Sequence, residues 1–79
     1  MDQLEQKLIN LIAEKSGMNT SQIALHSQLN VDVILDSLSY AELLMDCEDT
    51  YKIDIPLEDA AHFKTIQDMV TYLHQKTTA

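Results

Sequence analysis

The chain has 79 residues, thirteen of them acidic and five basic, for a formal net charge of −8, and it contains a single cysteine. That length holds one small domain with a modest core, expected to span residues 1–79 as a monomer, and the acidity excludes charge-driven attachment to nucleic acid or anionic lipid while favouring basic partner surfaces. One cysteine cannot form an internal disulfide, no apolar run approaches a membrane span, and the start Met-Asp-Gln-Leu-Glu lacks the cationic stretch of a signal peptide, so the chain is expected to be soluble, cytoplasmic and unprocessed.

Asp2 followed three residues later by Glu5 has the form of a capping box, and Leu4, Leu8, Leu11 and Ile12 recur at helical spacing. These predict a first helix over residues 2–16. Gly17, the only glycine, follows Lys15 and Ser16 where a left-handed cap would end that helix. From residue 18 to 35 the helical period fades and turn formers accumulate: Asn19, Thr20, Ser21, Ser27, Asn30 and Asp32. A loop this long needs pinning, and Ile23, Leu25, Leu29, Val31 and Val33 are available for it, with a short helical turn expected after Thr20 or Ser21.

Asp36-Ser37-Leu38 then opens a second helix over residues 37–51. At about 100° per residue, Tyr40, Leu43, Leu44, Cys47 and Tyr51 share one wide arc, which reads as a core face. Leu38, Ala41 and Met45 form a separate narrow arc. It is bordered by Glu48 on one side and by Glu42 and Asp49 on the other, with Asp46 further round, the layout of an apolar docking strip in an acidic rim. Lys52-Ile53-Asp54-Ile55-Pro56 alternates polar and apolar, but a lone strand would have no partner, so it reads as an extended linker with Ile53 and Ile55 inward. A short third helix is expected over residues 57–62, with Glu58 and Asp59 in its first turn and Phe63 as its anchor. Thr65 and Asp68 repeat the cap signature ahead of Ile66, Met69, Val70 and Leu73, predicting a fourth helix over residues 65–75 and a frayed tail from Lys76 to Ala79.

Ser37 stands at a helix start, where free backbone N–H groups favour a phosphate. It has no Gly-x-Ser-x-Gly elbow, and His26, His62 and His74 show no spacing that would make one of them its base. The chain is therefore expected to do no chemistry alone: it is not an enzyme. Cys47 reads as an inert core thiol, and neither the histidines nor Asp54, Glu58 and Asp59 have the spacing of a metal site.

Asp36-Ser37-Leu38 with Glu42-Leu43-Leu44-Met45, then Tyr51-Lys52-Ile53-Asp54-Ile55-Pro56-Leu57-Glu58-Asp59-Ala60, then Thr65-Ile66-Gln67-Asp68-Met69-Val70, resembles the acyl carrier protein family over nearly the whole chain. The resemblance implies an all-α, small four-helix bundle with a long loop between its first two helices and a short third helix. It implies that Ser37, flanked by Asp36 and Leu38, takes a 4′-phosphopantetheine arm from coenzyme A by way of a phosphopantetheinyl transferase, and that the arm's thiol holds acyl groups as thioesters. Acyl-loading, condensing and tailoring enzymes with basic patches would then dock on Leu38, Ala41, Glu42, Met45, Glu48 and Asp49, and Leu43, Cys47, Ile55, Ala60, Phe63 and Met69 would line a shelter for the acyl chain.

Three residues depart from the family pattern. Ile34 stands where a glycine is usual, Ser39 where an acidic residue is frequent, and Cys47 where a larger aliphatic is common. These favour a free-standing carrier of polyketide or modified fatty-acid synthesis over the housekeeping one. Peptidyl or D-alanyl carriage remains an alternative, as does, from a different class, a non-catalytic acidic helical adaptor whose binding would survive loss of Ser37.

Overall fold

The computed structural model describes residues 3–77. Four α-helices run in chain order: α1 (Gln3–Ser16), α2 (Ser37–Tyr51), α3 (Leu57–Ala60) and α4 (Ile66–Thr77), with a 3₁₀ turn at Thr20–Gln22. Among the described residues there is no β-strand, only two isolated bridges, Gln28 with Thr65 and Leu29 with Val33. The backbone extends 30 × 27 × 19 Å, and the shortest dimension is about two helix diameters, so the helices form two layers around one core. Its fully buried centre is Leu8, Ile12, Val33, Leu43, Cys47, Ile66, Met69, Val70 and Leu73.

α1 follows its apolar spacing, and the capping role expected of Asp2 lies outside the described residues. Gly17 ends the helix as expected: its φ of 77° is left-handed and its N–H donates to the Ala13 carbonyl at 2.9 Å. A side chain there would meet nothing within 4 Å, so the need for glycine is conformational and not steric. At the far end of α2 the left-handed position falls to Lys52, with φ 58°, which accepts some backbone strain so that its N–H can reach the Glu48 carbonyl.

The long loop is held by its own backbone. Leu25 and Ser27 offer carbonyls to the N–H groups of Gln67 and Ile66, at 2.8 and 3.1 Å, and the Leu29 N–H donates to the Lys64 carbonyl at 2.8 Å. The loop thereby satisfies the first amides of α4, which have no partner inside their own helix. Thr65 and Asp68 complete that start as the sequence predicts, since the Thr65 hydroxyl accepts the Asp68 N–H and the Asp68 carboxylate accepts the N–H groups of Lys64 and Thr65. The buried Ser27 hydroxyl accepts the Ala24 N–H at 2.9 Å.

Three sequence expectations need correction. Val31 does not pin the loop: it sits in a tight turn closed by the Asn30 N–H to the Val33 carbonyl, which leaves it exposed while Val33 is sealed. The third helix ends at Ala60 and not at residue 62, because the Phe63 N–H already turns back to the Ala60 carbonyl. α4 continues past residue 75, so Lys76 and Thr77 are helical. The Thr77 hydroxyl bonds the Leu73 carbonyl and the Lys76 ammonium lies 5.4 Å from the Tyr72 ring centre; Thr78 and Ala79 lie outside the described residues. Phe63, expected as the anchor after the third helix, is half-buried, packs against the core and meets the Tyr72 ring edge-on at 5.1 Å.

Ser27→Ala should cost about 1–3 kcal/mol by stripping a partner from the Ala24 amide, read as a lower urea midpoint with unchanged slope. A midpoint equal to wild type would show that the loop is held elsewhere.

Candidate functional site

The site begins with an alternation in the chain leading to α2. Val33 and Leu35 are buried, while Ile34 between them is 64 % exposed, the period of an extended segment lying on the core. Asp36 follows with extended backbone at φ −72° and ψ 172°, and it caps α2: its carbonyl accepts the Tyr40 N–H and its carboxylate accepts the Ser39 N–H at 2.7 Å. That amide bond, helped by the Ser39 hydroxyl and the Leu38 amide, holds the Asp36 carboxyl below its ordinary value of 3.8. Asp36 is therefore a carboxylate at neutral pH.

Ser37 is the first residue of α2 and is exposed. Leu38 beside it is 70 % exposed and Met45, two turns on, is 62 % exposed. Ala41 and Glu42 are exposed with them, and Asp49 is exposed near the end of the helix. The opposite side of α2 is sealed: Leu43, Leu44 and Cys47 belong to the core, with Tyr40 and Tyr51 packed at its edge. Glu48 is half-buried, and its carboxylate accepts the Ile55 N–H at 2.9 Å, so it clips the linker to α2. Asp46 pairs with Lys15 of α1 at 3.2 Å, which raises the Lys15 pKa and ties two helices together.

Of the residues expected to shelter a chain, Leu43, Cys47, Ile55, Ala60 and Met69 lie in one buried cluster and Phe63 packs against it. Burial pushes the Cys47 thiol up to about 12, with the neighbouring Asp46 and Glu48 charges adding to it. Two surface depressions lie away from Ser37. One, of about 380 Å³, is lined by Asp59, His62, Phe63, Asp68, Thr71, Tyr72 and Gln75; the other, of about 370 Å³, is lined by Glu48 to Asp49 and Lys52 to Asp54. Among the described residues no three histidine, cysteine or acidic side chains are grouped to hold a metal ion, and no helix is long and apolar enough to cross a membrane.

Sequence reasoning missed the tyrosine hydroxyls. Tyr40 donates to the Ala60 carbonyl at 2.9 Å, Tyr51 to the Leu4 carbonyl at 2.9 Å, and Tyr72 to the Asp59 carboxylate at 2.8 Å. Helical spacing marks Tyr40 and Tyr51 as core, and only the wet edge of that core could have flagged their hydroxyls.

Residues 6–73 match the family described as "Phosphopantetheine attachment site". The acyl carrier protein of Rickettsia bellii (strain RML369-C) is 35 % identical over 75 residues, covering 95 % of this chain and 87 % of the relative. That of Rickettsia canadensis (strain McKiel) is 39 % identical over the same shares. The chain belongs to the acyl carrier protein family. As a member of that family it is a carrier and not a catalyst, and the group it holds covalently is 4′-phosphopantetheine. Among solved structures, the apo doublet acyl carrier protein from prodigiosin biosynthesis superposes with a TM-score of 0.77 at 27 % identity, over 92 % of this chain and 35 % of that one. The α2 start fits a tethered group: an exposed hydroxyl stands at a helix N-terminus fixed by its cap, outside any enclosed cavity.

Asp36 and Asp68 both have carboxyls held below the ordinary 3.8 by bonds from backbone amides. Their contribution to stability is present above that value and is lost as pH falls through their lower folded-state values. Asp36→Ala should therefore lower the melting temperature at neutral pH and shrink the gap to wild type under acid. Melting curves taken across the acid range read this directly, and coincident curves at pH 7 would show that the cap does not hold the α2 start.

Proposed function

We propose that the 4′-phosphopantetheine arm is attached at Ser37 and that residues 1–79 act as a single carrier domain. It presents acyl groups, held as thioesters on the arm's thiol, to enzymes of fatty-acid or polyketide-type biosynthesis in the cytoplasm. The observation that carries this reading is the exposed Ser37 hydroxyl directly after the capping Asp36, with the exposed Leu38 beside it. The helix start favours the phosphodiester, and Asp36 and Leu38 frame the approach to the hydroxyl. The bound arm supplies a flexible tether and a thiol; the residues around Ser37 supply position and recognition.

Leu38, Ala41 and Met45 form the apolar centre of the docking face in this reading, with Glu42 and Asp49 as its acidic rim. A phosphopantetheinyl transferase and the acyl-loading, condensing and tailoring enzymes would meet it through apolar patches bordered by Lys and Arg. Glu48 contributes charge to that rim while its carboxylate is also held by the Ile55 amide. The acyl chain is sheltered among Leu43, Cys47, Ile55, Ala60, Phe63 and Met69, where Cys47 and Ala60 are small side chains among larger ones. Burying each methylene there contributes about 0.8 kcal/mol.

Incubation with coenzyme A and a broad-specificity phosphopantetheinyl transferase should add one arm to the intact mass of the wild type and none to Ser37→Ala. A modified alanine variant would overturn the assignment. Glu42→Lys with Asp49→Lys should slow association with the transferase at low salt and leave dissociation nearly unchanged, because rim charges act on encounter. Kinetics that ignore both the reversals and the salt would return these carboxylates to a merely solvated face. Both positions are preferable to Glu48, whose reversal would also break the clip to Ile55.

A further inference from the structure

α3 is a single turn, and Ala60 is its only buried residue; Leu57 at its start is 78 % exposed. So little apolar burial cannot fix an element in place. Hydrogen bonds from both neighbours take over. From α2, Tyr40 donates its hydroxyl to the Ala60 carbonyl at 2.9 Å; from α4, Tyr72 donates to the Asp59 carboxylate at 2.8 Å. The linker into α3 is held separately by the Glu48 carboxylate on the Ile55 amide.

The two tyrosines are not equivalent. Tyr40 stands three residues beyond Ser37, about 4.5 Å along the axis of α2, and continues inward to Leu43 and Cys47 on the same helix face. Its bond to Ala60 thus joins α2 to α3, from a position on α2 nearer to Ser37 than Cys47 is. Tyr72 reaches α3 from α4, at Asp59. The Tyr40 bond is also one that opens cheaply. Tyr40 is half-buried, and the Ala60 carbonyl keeps the Phe63 N–H at 3.2 Å when the tyrosine leaves. With Tyr72–Asp59 and Glu48–Ile55 intact, α3 would swing and not detach.

We infer that Tyr40 is a latch on the α2–α3 seam and sets the shortest acyl chain that this carrier draws inside. A chain entering from Ser37 must break the Tyr40–Ala60 bond, and the apolar burial it gains must exceed what that bond contributes. A hydrogen bond of this kind is worth about as much as burying one or two methylenes. Short acyl groups therefore stay on the surface, and longer saturated chains cross the threshold. The inference rests on Ser37 bearing the arm.

Tyr40→Phe keeps the ring and removes the bond. In the unloaded protein, hydrogen exchange at the Ala60, Ala61 and Phe63 amides should accelerate roughly 2- to 12-fold, while Ile12 in α1 and Val70 in α4 keep their rates. No acceleration would mean the bond is idle, and equal acceleration everywhere would mean that Tyr40 only stabilises the whole fold; either result overturns the latch. Wild type, Tyr40→Phe and Tyr72→Phe should then be loaded with straight acyl chains from acetyl to decanoyl, and each melting temperature compared with that of the same variant bearing the bare arm. The shortest chain that raises melting should be about one or two carbons shorter in Tyr40→Phe and unchanged in Tyr72→Phe. Identical thresholds in all three proteins, or a shift in Tyr72→Phe equal to that in Tyr40→Phe, would overturn the assignment to Tyr40. An arm found on Ser37→Ala in the same loading reaction would instead overturn Ser37 as the attachment residue, and the cargo threshold with it.

Discussion

The fold depends on two sets of backbone groups that need each other. α4 begins with amides that its own helix cannot satisfy, and the loop between α1 and α2 has carbonyls that no helix or sheet takes up. Their union, Leu25 with Gln67 and Ser27 with Ile66, lays the loop along the head of α4. Its effect on the rest of the chain is geometric. With residues 25–29 fixed, Val33 and Leu35 can enter the core on either side of the exposed Ile34, and the chain reaches Asp36 extended, as a cap requires. The location of Ser37 is thus decided by hydrogen bonds made up to thirty residues away in sequence.

Cohesion in this molecule is uneven. α1, α2 and α4 bury full apolar faces, and the Lys15–Asp46 pair and the Tyr51–Leu4 bond fasten α2 to α1 at two separated points. α3 buries one methyl group and otherwise depends on polar bonds. Hydrophobic burial resists motion in every direction, whereas a hydrogen bond fails when one angle changes. A region held the second way can open without disturbing the first, and it lies beside the small core residues Cys47 and Ala60.

The long periodic elements were readable from residues alone because helical spacing and caps are local. Gly17, Asp36 and the Thr65–Asp68 pair act as their neighbours imply. The exposed stripe of Leu38, Ala41 and Met45 was readable too, since a second apolar arc on a helix of this size cannot also face the core. What sequence did not disclose is non-local. Glu48 reads as a surface carboxylate, and only the return of the linker brings the Ile55 amide to it. Val31 and Val33 look alike in the sequence, and a turn closed at Asn30, with φ 65°, decides which of them is buried. The tyrosine hydroxyls find partners on helices up to 47 residues distant in the chain, a relation that no periodicity encodes.

The sealed cysteine has a consequence for the chemistry of a thioester carrier. An acyl thioester is open to capture by any nearby thiolate, which would move the cargo from the arm to the protein by sulfur-to-sulfur exchange. Attack requires the ionised thiol and a path to it. Cys47 offers neither: it is completely buried, and with its pKa near 12 the ionised share at pH 7 is on the order of one in 10⁵. The chain therefore offers no competing thiolate of its own to a loaded acyl group.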